Sequence, residues 1–135
     1  MDLLFPDEGL VYQLSKTLAT AVKYHLYTNA LVPTLSTVLA NLTEATWAGY
    51  VSVAQDWTAF TIQGVSAHNG YAIAPPINFT NTSGAPVSAY GYYVTDSGAT
   101  KLLAVAAFDS PPITIANLGN YSVTPTWGNF SALSS

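Results

Sequence analysis

The chain has 135 residues, the length of one domain with a hydrophobic core of its own. Only 7% of the residues are charged, against about a quarter in ordinary soluble domains, and 50% are hydrophobic. A core of this size cannot hold all of them, so we expect exposed apolar patches, which usually mark contact surfaces. Three lysines, no arginine and a net charge of -4 argue against nucleic-acid binding, which needs clustered cations.

Cysteine and long apolar runs are both absent from the sequence. Without cysteine the chain has no disulfide, no thiol catalysis and no cysteine-ligated zinc. The longest purely apolar run, Leu102 to Phe108, is strand-sized and falls short of the roughly eighteen residues of a membrane span. Residues 1–8 lack the basic and apolar regions of a secretory signal. We therefore expect a complete chain to mature in a cytoplasm, with no membrane partner.

The first predicted element is one amphipathic helix from Glu8 to Thr20. Asp7 is placed to accept hydrogen bonds from the free N–H groups of the first turn, and Glu8 suits the positive end of the helix dipole. Capping therefore explains this acidic pair better than catalysis does. The apolar residues of the helix recur at spacings of three and four: Leu10, Val11, Leu14, Leu18 and Val22.

From residue 22 onward β-branched and aromatic residues dominate and the apolar period changes to two, which is typical of strands. The clearest element is a β-hairpin between Val87 and Phe108, where Asp96-Ser97-Gly98 separates two strand-like runs. Turn-forming residues interrupt the other runs at 29–33, at Asp56 and at 68–70, and we expect Asp56 and Asp96 to cap backbone N–H groups. The remaining strands are predicted over residues 22–28, 50–54, 57–62 and 121–126.

Short strands with turn residues at a spacing of about ten residues are typical of sandwiches and barrels. The predicted fold class is therefore mainly β, an antiparallel β-sandwich or barrel with one short N-terminal helix. We predict a single domain over residues 1–135, in which the N-terminal segment 1–21 holds the helix and residues 22–135 form the β body.

Three short motifs carry a resemblance to a known group of proteins. They are Pro6-Asp7-Glu8-Gly9, Leu26-Tyr27-Thr28-Asn29 with Pro33 beyond it, and Thr43-Glu44-Ala45-Thr46-Trp47-Ala48-Gly49-Tyr50. The hairpin from Tyr90 to Phe108, followed by Asp109 and prolines, is also similar. In these motifs, which span most of the chain, the sequence resembles a family of small proteins encoded beside the virion genes of tailed bacteriophages.

This resemblance implies a virion structural protein, assembled in the host cytoplasm, with capsid decoration or cement as the first role to name. The implied partners are the major capsid protein and copies of the chain itself, and the geometry of a capsid lattice makes a trimer the natural oligomer. The alternative is a tail- or fibre-associated module that recognises host glycans. Both roles agree with the low charge of the sequence.

Catalytic and metal-binding patterns are weak throughout the sequence. The only histidines, His25 and His68, do not form a two-ligand spacing, so we predict neither metal nor cofactor. His25 lies in a strand, where a hydrogen-bonded or exposed role is expected, and His68 lies in a turn. There is no Gly-x-Ser-x-Gly elbow, and the acids other than Asp7 and Glu8 stand singly. We predict no enzymatic activity, although the many Ser and Thr residues leave an accidental site, acting on the cell wall, as a third hypothesis.

The aromatic side chains are the best candidates for contacts with a partner or a ligand, because they supply a large contact area at low entropic cost. We expect Trp47 and Trp57 to lie in the core, as aromatic residues often do. Trp127, near the end of the sequence beside Gly128 and Asn129, is the tryptophan we expect to be exposed. The candidate interface or ligand contacts are Trp127, Tyr121, Phe130 and Tyr93.

Overall fold

A computed structural model describes residues 21–55, 61–66 and 69–130 of the chain. Four predicted features lie outside these residues: the helix from Glu8 to Thr20, the turn at Asp56, the core position of Trp57, and the turn that contains His68. Within the described ranges the fold is mainly β with antiparallel sheets, as predicted. No helix in these ranges has the length and apolar character of a membrane span.

The described residues form eleven strands and one short 3-10 helix, Leu39–Asn41. The strands are β1 Val22–Tyr27, β2 Val53–Gln55, β3 Thr61–Ser66, β4 Asn69–Ile73, β5 Ile77–Thr80, β6 Val87–Ala89, β7 Gly91–Asp96, β8 Leu102–Ala107, β9 Ile113–Ile115, β10 Asn120–Val123 and β11 Thr126–Phe130.

The described residues fall into two compact units. One comprises Ala21, 61–66, 69–77 and 124–130 and contains a three-stranded antiparallel sheet in the order β11-β4-β3. The other comprises residues 22–55 and 78–123 and contains a four-stranded sheet in the order β2-β1-β7-β8 together with the pair β6-β9. The single domain over 1–135 stays a prediction.

The centre of the four-stranded sheet is β1, which pairs antiparallel with β2 on one side and β7 on the other. This confirms the predicted strand over 22–28 to within one residue. Tyr24, Leu26 and Tyr27 are fully buried in this strand, which has a neighbouring strand on each side. Opposite Tyr27, Gly91 leaves room for the ring: a Cβ atom there would lie 2.5 Å from the Tyr27 hydroxyl and 2.2 Å from the Ala106 carbonyl oxygen.

The predicted hairpin is present as β7 and β8, joined by the turn at Asp96-Ser97-Gly98. Asp96 caps this turn as predicted: its Oδ1 accepts hydrogen bonds from the backbone N–H groups of Thr100, at 2.6 Å, and Lys101, at 2.9 Å. The hydrogen bond from the Thr100 hydroxyl and those from the backbone hold the pKa of Asp96 below its usual value. The first arm is shorter than predicted, because residues 87–89 form a separate strand, β6, that pairs with β9.

Two other strand predictions are right in type and displaced in position. The predicted strand over 50–54 corresponds to β2, which begins three residues later. The predicted strand over 57–62 overlaps β3 at Thr61 and Ile62, and its first four residues lie outside the described residues. The strand predicted over 121–126 is divided into β10 and β11. Pro125 lies at the break, since it has no N–H for a ladder, and its carbonyl oxygen instead accepts from the backbone N–H of Ala74 at 2.9 Å.

Candidate functional site

The unit of residues 22–55 and 78–123 contains a buried histidine in the middle of β1. His25 is 4% exposed, and its ring stacks on that of Tyr93 from β7 with centroids 4.6 Å apart. Its Nδ1 lies 2.5 Å from Oε2 of Glu44, and its Nε2 lies 2.9 Å from the hydroxyl oxygen of Thr95. Both ring nitrogens are therefore satisfied inside the fold, as burial of a polar group requires.

Glu44 joins His25 to a second ring, that of Tyr50. The Tyr50 hydroxyl donates to Oε2 of Glu44 at 2.7 Å and accepts from the backbone N–H of Leu26 at 3.2 Å. Burial raises the pKa of Tyr50, and the hydrogen bond to Glu44 raises it further. Burial, with a smaller effect of the Glu44 charge, raises the pKa of Tyr93 to about 12. We call the side chains of His25, Glu44, Tyr50, Tyr93 and Thr95 the histidine network.

The segment from Thr43 to Tyr50 holds Glu44 in this position. The N–H of Ala45 donates to the Leu26 carbonyl oxygen at 3.0 Å, which adds this segment to the side of β1. Trp47 donates from Nε1 to the carbonyl oxygen of Thr80 at 3.0 Å. Gly49 has φ +89°, in the left-handed region that favours glycine. The segment of residues 43–50 is therefore a structural clamp for the network.

The histidine network has the connectivity of a nucleophile–histidine–carboxylate triad, with Thr95 in the place of the nucleophile. In a catalytic triad the hydroxyl donates to the histidine. Here the Thr95 hydroxyl donates to the Asp96 carbonyl oxygen at 2.9 Å, and Nε2 of His25 lies 2.9 Å from the same hydroxyl oxygen. Thr95 is also 0% exposed, which leaves no path for a substrate to its oxygen in this conformation.

Metal ligation would need several convergent donors. In the described part of the chain no group of three or more His, Asp or Glu side chains is arranged to hold an ion. Glu44 comes nearest to an available ligand, since its side chain is 40% exposed, but its Oε2 already accepts from Tyr50 and contacts His25.

A loop from Thr28 to Thr43 leaves β1 beside this network and returns to it. Its ends are joined by the N–H of Thr28, which donates to the Thr43 carbonyl oxygen at 2.9 Å. Asn29 closes the base from both sides: its Oδ1 accepts from the N–H of Thr43 at 2.9 Å, and its Nδ2 donates to the Asn41 carbonyl oxygen at 2.8 Å. A compact loop with its ends together and its own internal bonds is an Ω-loop, a type that is frequently functional.

Hydrogen bonds inside the loop come from its own Thr and Asn residues. The N–H of Thr34 donates to the Thr37 hydroxyl at 2.8 Å, and the N–H of Thr37 donates to the Thr34 carbonyl oxygen at 3.0 Å. Further along, the N–H of Val38 donates to Oδ1 of Asn41 at 2.8 Å. These bonds fix the backbone without using an apolar side chain, so the apolar residues of the loop do not need to turn inward.

Three apolar side chains of this loop face solvent. The exposed fractions of Val32 and Val38 are 81% and 55%, and Leu35 is fully exposed. No Asp, Glu, Lys or Arg occurs from residue 24 to residue 43, so the loop itself carries no charged side chain. Apolar groups held in water by an ordered backbone mark a contact surface. We call Val32, Leu35 and Val38 the loop surface.

The four predicted contact residues are divided between the two units, with Tyr93 and Tyr121 in one and Trp127 and Phe130 in the other. Tyr93 is buried against His25, so its ring is not part of the exposed surface. Tyr121 is half-buried, with its ring edge-on to Phe108 at 5.1 Å. Trp127 and Phe130 lie in β11, opposite Ala72 and Asn69 of β4. Trp47, predicted for the core, is half-buried at its hydrogen bond to Thr80.

The residues that the sequence did not single out are the partners of His25 and the loop surface. Glu44 and Thr95 lie 19 and 70 residues from His25, and a pairing of that span leaves no local pattern. The loop surface had a signal: apolar residues among Pro, Thr, Ser and Asn, in a stretch without strand periodicity. The chain matches no protein-family model, no curated protein and no solved structure, so its function has to be inferred from the geometry of this unit and from the motifs.

Proposed function

We propose that this chain is a structural subunit of a tailed-phage virion, a capsid decoration or cement protein that binds neighbouring subunits through the loop surface. The observation that carries the proposal is the display of Val32, Leu35 and Val38 on a loop whose backbone is bonded internally and which carries no charged side chain. The resemblance to small virion proteins, through the clamp of residues 43–50, supports the same role. No catalytic role is part of the proposal.

The energetics of such a surface suit a protein that is present in many copies. Burial of one aliphatic side chain contributes about 1.5 to 3 kcal/mol, so the three side chains of the loop surface together contribute roughly 5 to 9 kcal/mol. Loss of translational and rotational freedom on binding costs about 4 to 15 kcal/mol. One loop alone therefore binds weakly. On a lattice, further contacts made by the same copy and its neighbours add to the contribution of the loop.

The histidine network contributes to this role by holding the loop in place. The loop leaves β1 directly after Tyr27, and it returns at Thr43, one residue before Glu44 enters the network. A loop that is already ordered before binding loses less conformational entropy in the complex, which improves affinity without any new contact. The buried polar side chains thus serve the fold, and the fold presents the surface.

The decisive experiment is the copy number of the chain in purified virions, measured by quantitative mass spectrometry against the major capsid protein. A number comparable with that of the major capsid protein is the expected result. A few copies per particle would replace this role with one in the tail or neck, and absence from the particle would overturn a virion role altogether.

A second measurement tests the loop surface itself. Leu35→Ser should weaken binding of the purified chain to phage heads that lack it by about 10- to 100-fold, because the side chain contributes burial worth about 1.5 to 3 kcal/mol. Leu118→Ser is the matched control, since Leu118 is another strongly exposed leucine that lies outside the loop. Equal affinities of the two variants would contradict the assignment of the loop as the contact.

A further inference from the structure

The strand β8 is the edge of the four-stranded sheet. It spans Leu102–Ala107 and, within the described part of the chain, pairs with β7 alone. An edge strand presents one row of backbone N–H and C=O groups that another strand can bind. This edge is separate from the loop surface, and an interaction through it goes beyond the proposed function.

The alternation along β8 shows which backbone groups face outward. The N–H of Phe108 donates to the Tyr90 carbonyl oxygen at 3.0 Å, so Phe108 faces β7. In an antiparallel ladder every second residue bonds the same neighbour, so Ala106 and Ala104 face β7 as well. Val105 and Ala107 therefore turn their N–H and C=O groups away from the sheet.

This edge has no charged residue and no proline within the strand, and its one protective feature is the bulge at Leu103. Natural edge strands carry charged residues, especially lysine, or proline. β8 consists of Leu, Ala and Val only, and Leu103 at its bulge is exposed. The charged residues stand just outside the strand, with Lys101 before it and Asp109 after it. Both are exposed, and neither makes an ion pair with a described residue.

We propose that two copies of this chain bind each other by antiparallel pairing of their β8 strands, centred on Val105. In this register Val105 stands opposite Val105 of the second copy, so the outward N–H and C=O groups of the two strands bond each other. The two four-stranded sheets then join into one. The same arrangement brings the end of β8 that is preceded by Lys101 next to the end of the second copy's strand that is followed by Asp109, and by symmetry this approach of opposite charges occurs twice.

The charge pattern is the reason to expect a second copy rather than another protein. The strand region has one positive end, one negative end and a neutral centre, so it is complementary to itself when reversed. A parallel pair would instead set Lys101 beside Lys101, and like charges directly opposite each other are destabilising. Registers shifted from Val105 lose either the ion pairs or some of the backbone bonds.

The expected affinity is modest. A six-residue strand on each side gives an interface smaller than the roughly 800 Å² per partner of a standard stable complex. We therefore expect a dimer that dissociates in the micromolar range, which analytical ultracentrifugation of the purified chain over a range of concentrations would measure.

Charge exchange tests the register. Lys101→Asp should weaken dimerisation by roughly tenfold, because two attractive contacts become repulsive, and Asp109→Lys should do the same. The double variant Lys101→Asp/Asp109→Lys restores opposite charges and should recover most of the wild-type affinity. Both residues are exposed and lie outside β8, and urea unfolding of each variant checks that the fold is kept.

A single introduced cysteine tests the centre of the pairing. The chain has no cysteine, so in Val105→Cys the one thiol should form a disulfide with its copy under mild oxidation. Directly opposite residues in an antiparallel pair have Cα atoms about 5.5 Å apart, within the range of a disulfide. In the control Ala104→Cys the two thiols are out of register and too far apart to join.

Three outcomes would overturn the proposal. The chain could remain monomeric at all concentrations, or its mass could be that of a trimer. A dimer whose affinity is unchanged by the charge exchanges and which forms no disulfide at residue 105 would mean that the copies bind through another surface. These measurements need no virion, so their failure is distinct from failure of the loop surface to bind heads.

Discussion

Two neighbouring regions of the molecule both depend on side-chain hydrogen bonds, which hold buried polar groups in one region and order an exposed loop in the other. In the histidine network, polar side chains bond one another inside the sheet, and His25 and Thr95 are almost completely buried. In the loop from Thr28 to Thr43, side chains of Asn and Thr bond the exposed backbone. The two regions meet at Thr43 and Glu44, which are adjacent in the chain.

The two regions differ in whether water can replace a lost hydrogen bond. Inside the sheet, a polar group that loses its partner has no water to replace it, so each member of the network depends on the others. In the loop, water replaces a lost bond at small cost, and the bonds matter because they fix a shape. Polar side chains thus stabilise the fold in one region, and in the other they free apolar side chains to face a partner.

The largest effect is expected in the centre of the network. His25→Leu should lower the free energy of unfolding by about 2 kcal/mol, because Thr95 and Glu44 each lose one of their two hydrogen-bond partners inside the fold. Urea unfolding measures this loss. Lys23→Gln, in the same strand and half-buried, is the matched control and should change stability by less than about 0.5 kcal/mol. Equal losses in the two variants would mean that the network is not what holds β1.

Alkaline pH should weaken the same region. Burial and the hydrogen bond to Glu44 raise the pKa of Tyr50 above its ordinary value of 10.0, and burial raises that of Tyr93 to about 12. The unfolded chain therefore releases these protons first. This contribution to stability is complete below pH 10 and is lost as the pH rises through the folded values.

We accordingly expect the urea midpoint to fall as the pH is raised from 10 to 12, with a shallower fall in Tyr50→Phe, which has no proton to lose there. Midpoints measured at several pH values would show it. If Tyr50→Phe and the wild type gave the same slope, the Tyr50 hydroxyl would not be a buried donor to Glu44.

A smaller effect is expected at the base of the loop. Asn29→Ala removes the bonds to Thr43 and Asn41 and should cost about 1 kcal/mol of stability, since water can replace an exposed bond. The same change should make the loop more sensitive to limited proteolysis. Asn29→Asp keeps the oxygen that accepts from the N–H of Thr43, so its stability and its resistance to proteolysis should lie between those of the wild type and those of Asn29→Ala. Protection equal to wild type in Asn29→Ala would show that Asn29 does not fix the loop.

The smallest change in stability is expected at the tip of the loop. Leu35→Ser should alter the free energy of unfolding by less than about 0.5 kcal/mol, because a fully exposed side chain contributes little to the fold. Together with its expected loss of binding to heads, this would separate the surface from the fold. A clear loss of stability would mean instead that Leu35 packs against the protein.

Local features of the fold were predictable from particular residues. Tyr24, Leu26 and their β-branched neighbours marked β1, and Asp96-Ser97-Gly98 marked the turn of the hairpin, because both signals act over a few residues. The break at Pro125 and the separation of β6 from β7 were missed. Each depends on which strand lies alongside, as shown by the bond from Ala74 to Pro125 and the pairing of β6 with β9.

The candidate sites were less predictable than the strands. The sequence predicts that His25 is hydrogen-bonded or exposed. In the structure it is buried, with Glu44 and Thr95 at its two ring nitrogens. The aromatic character of Tyr93 predicts a contact residue, yet its ring is buried and stacks on that of His25. Aromatic character alone does not distinguish a core residue from a binding residue, because both roles use the same apolar surface.

By itself the sequence determined the class of this protein: antiparallel strands, a capped hairpin turn and a surface with few charges. These features depend on side-chain period, turn chemistry and composition, which act locally or on average. The tertiary structure alone decided that His25 is enclosed, that Leu35 is exposed and that β8 lies at an edge. Those outcomes depend on strand register and on what covers each face, and such contacts join residues far apart in the chain.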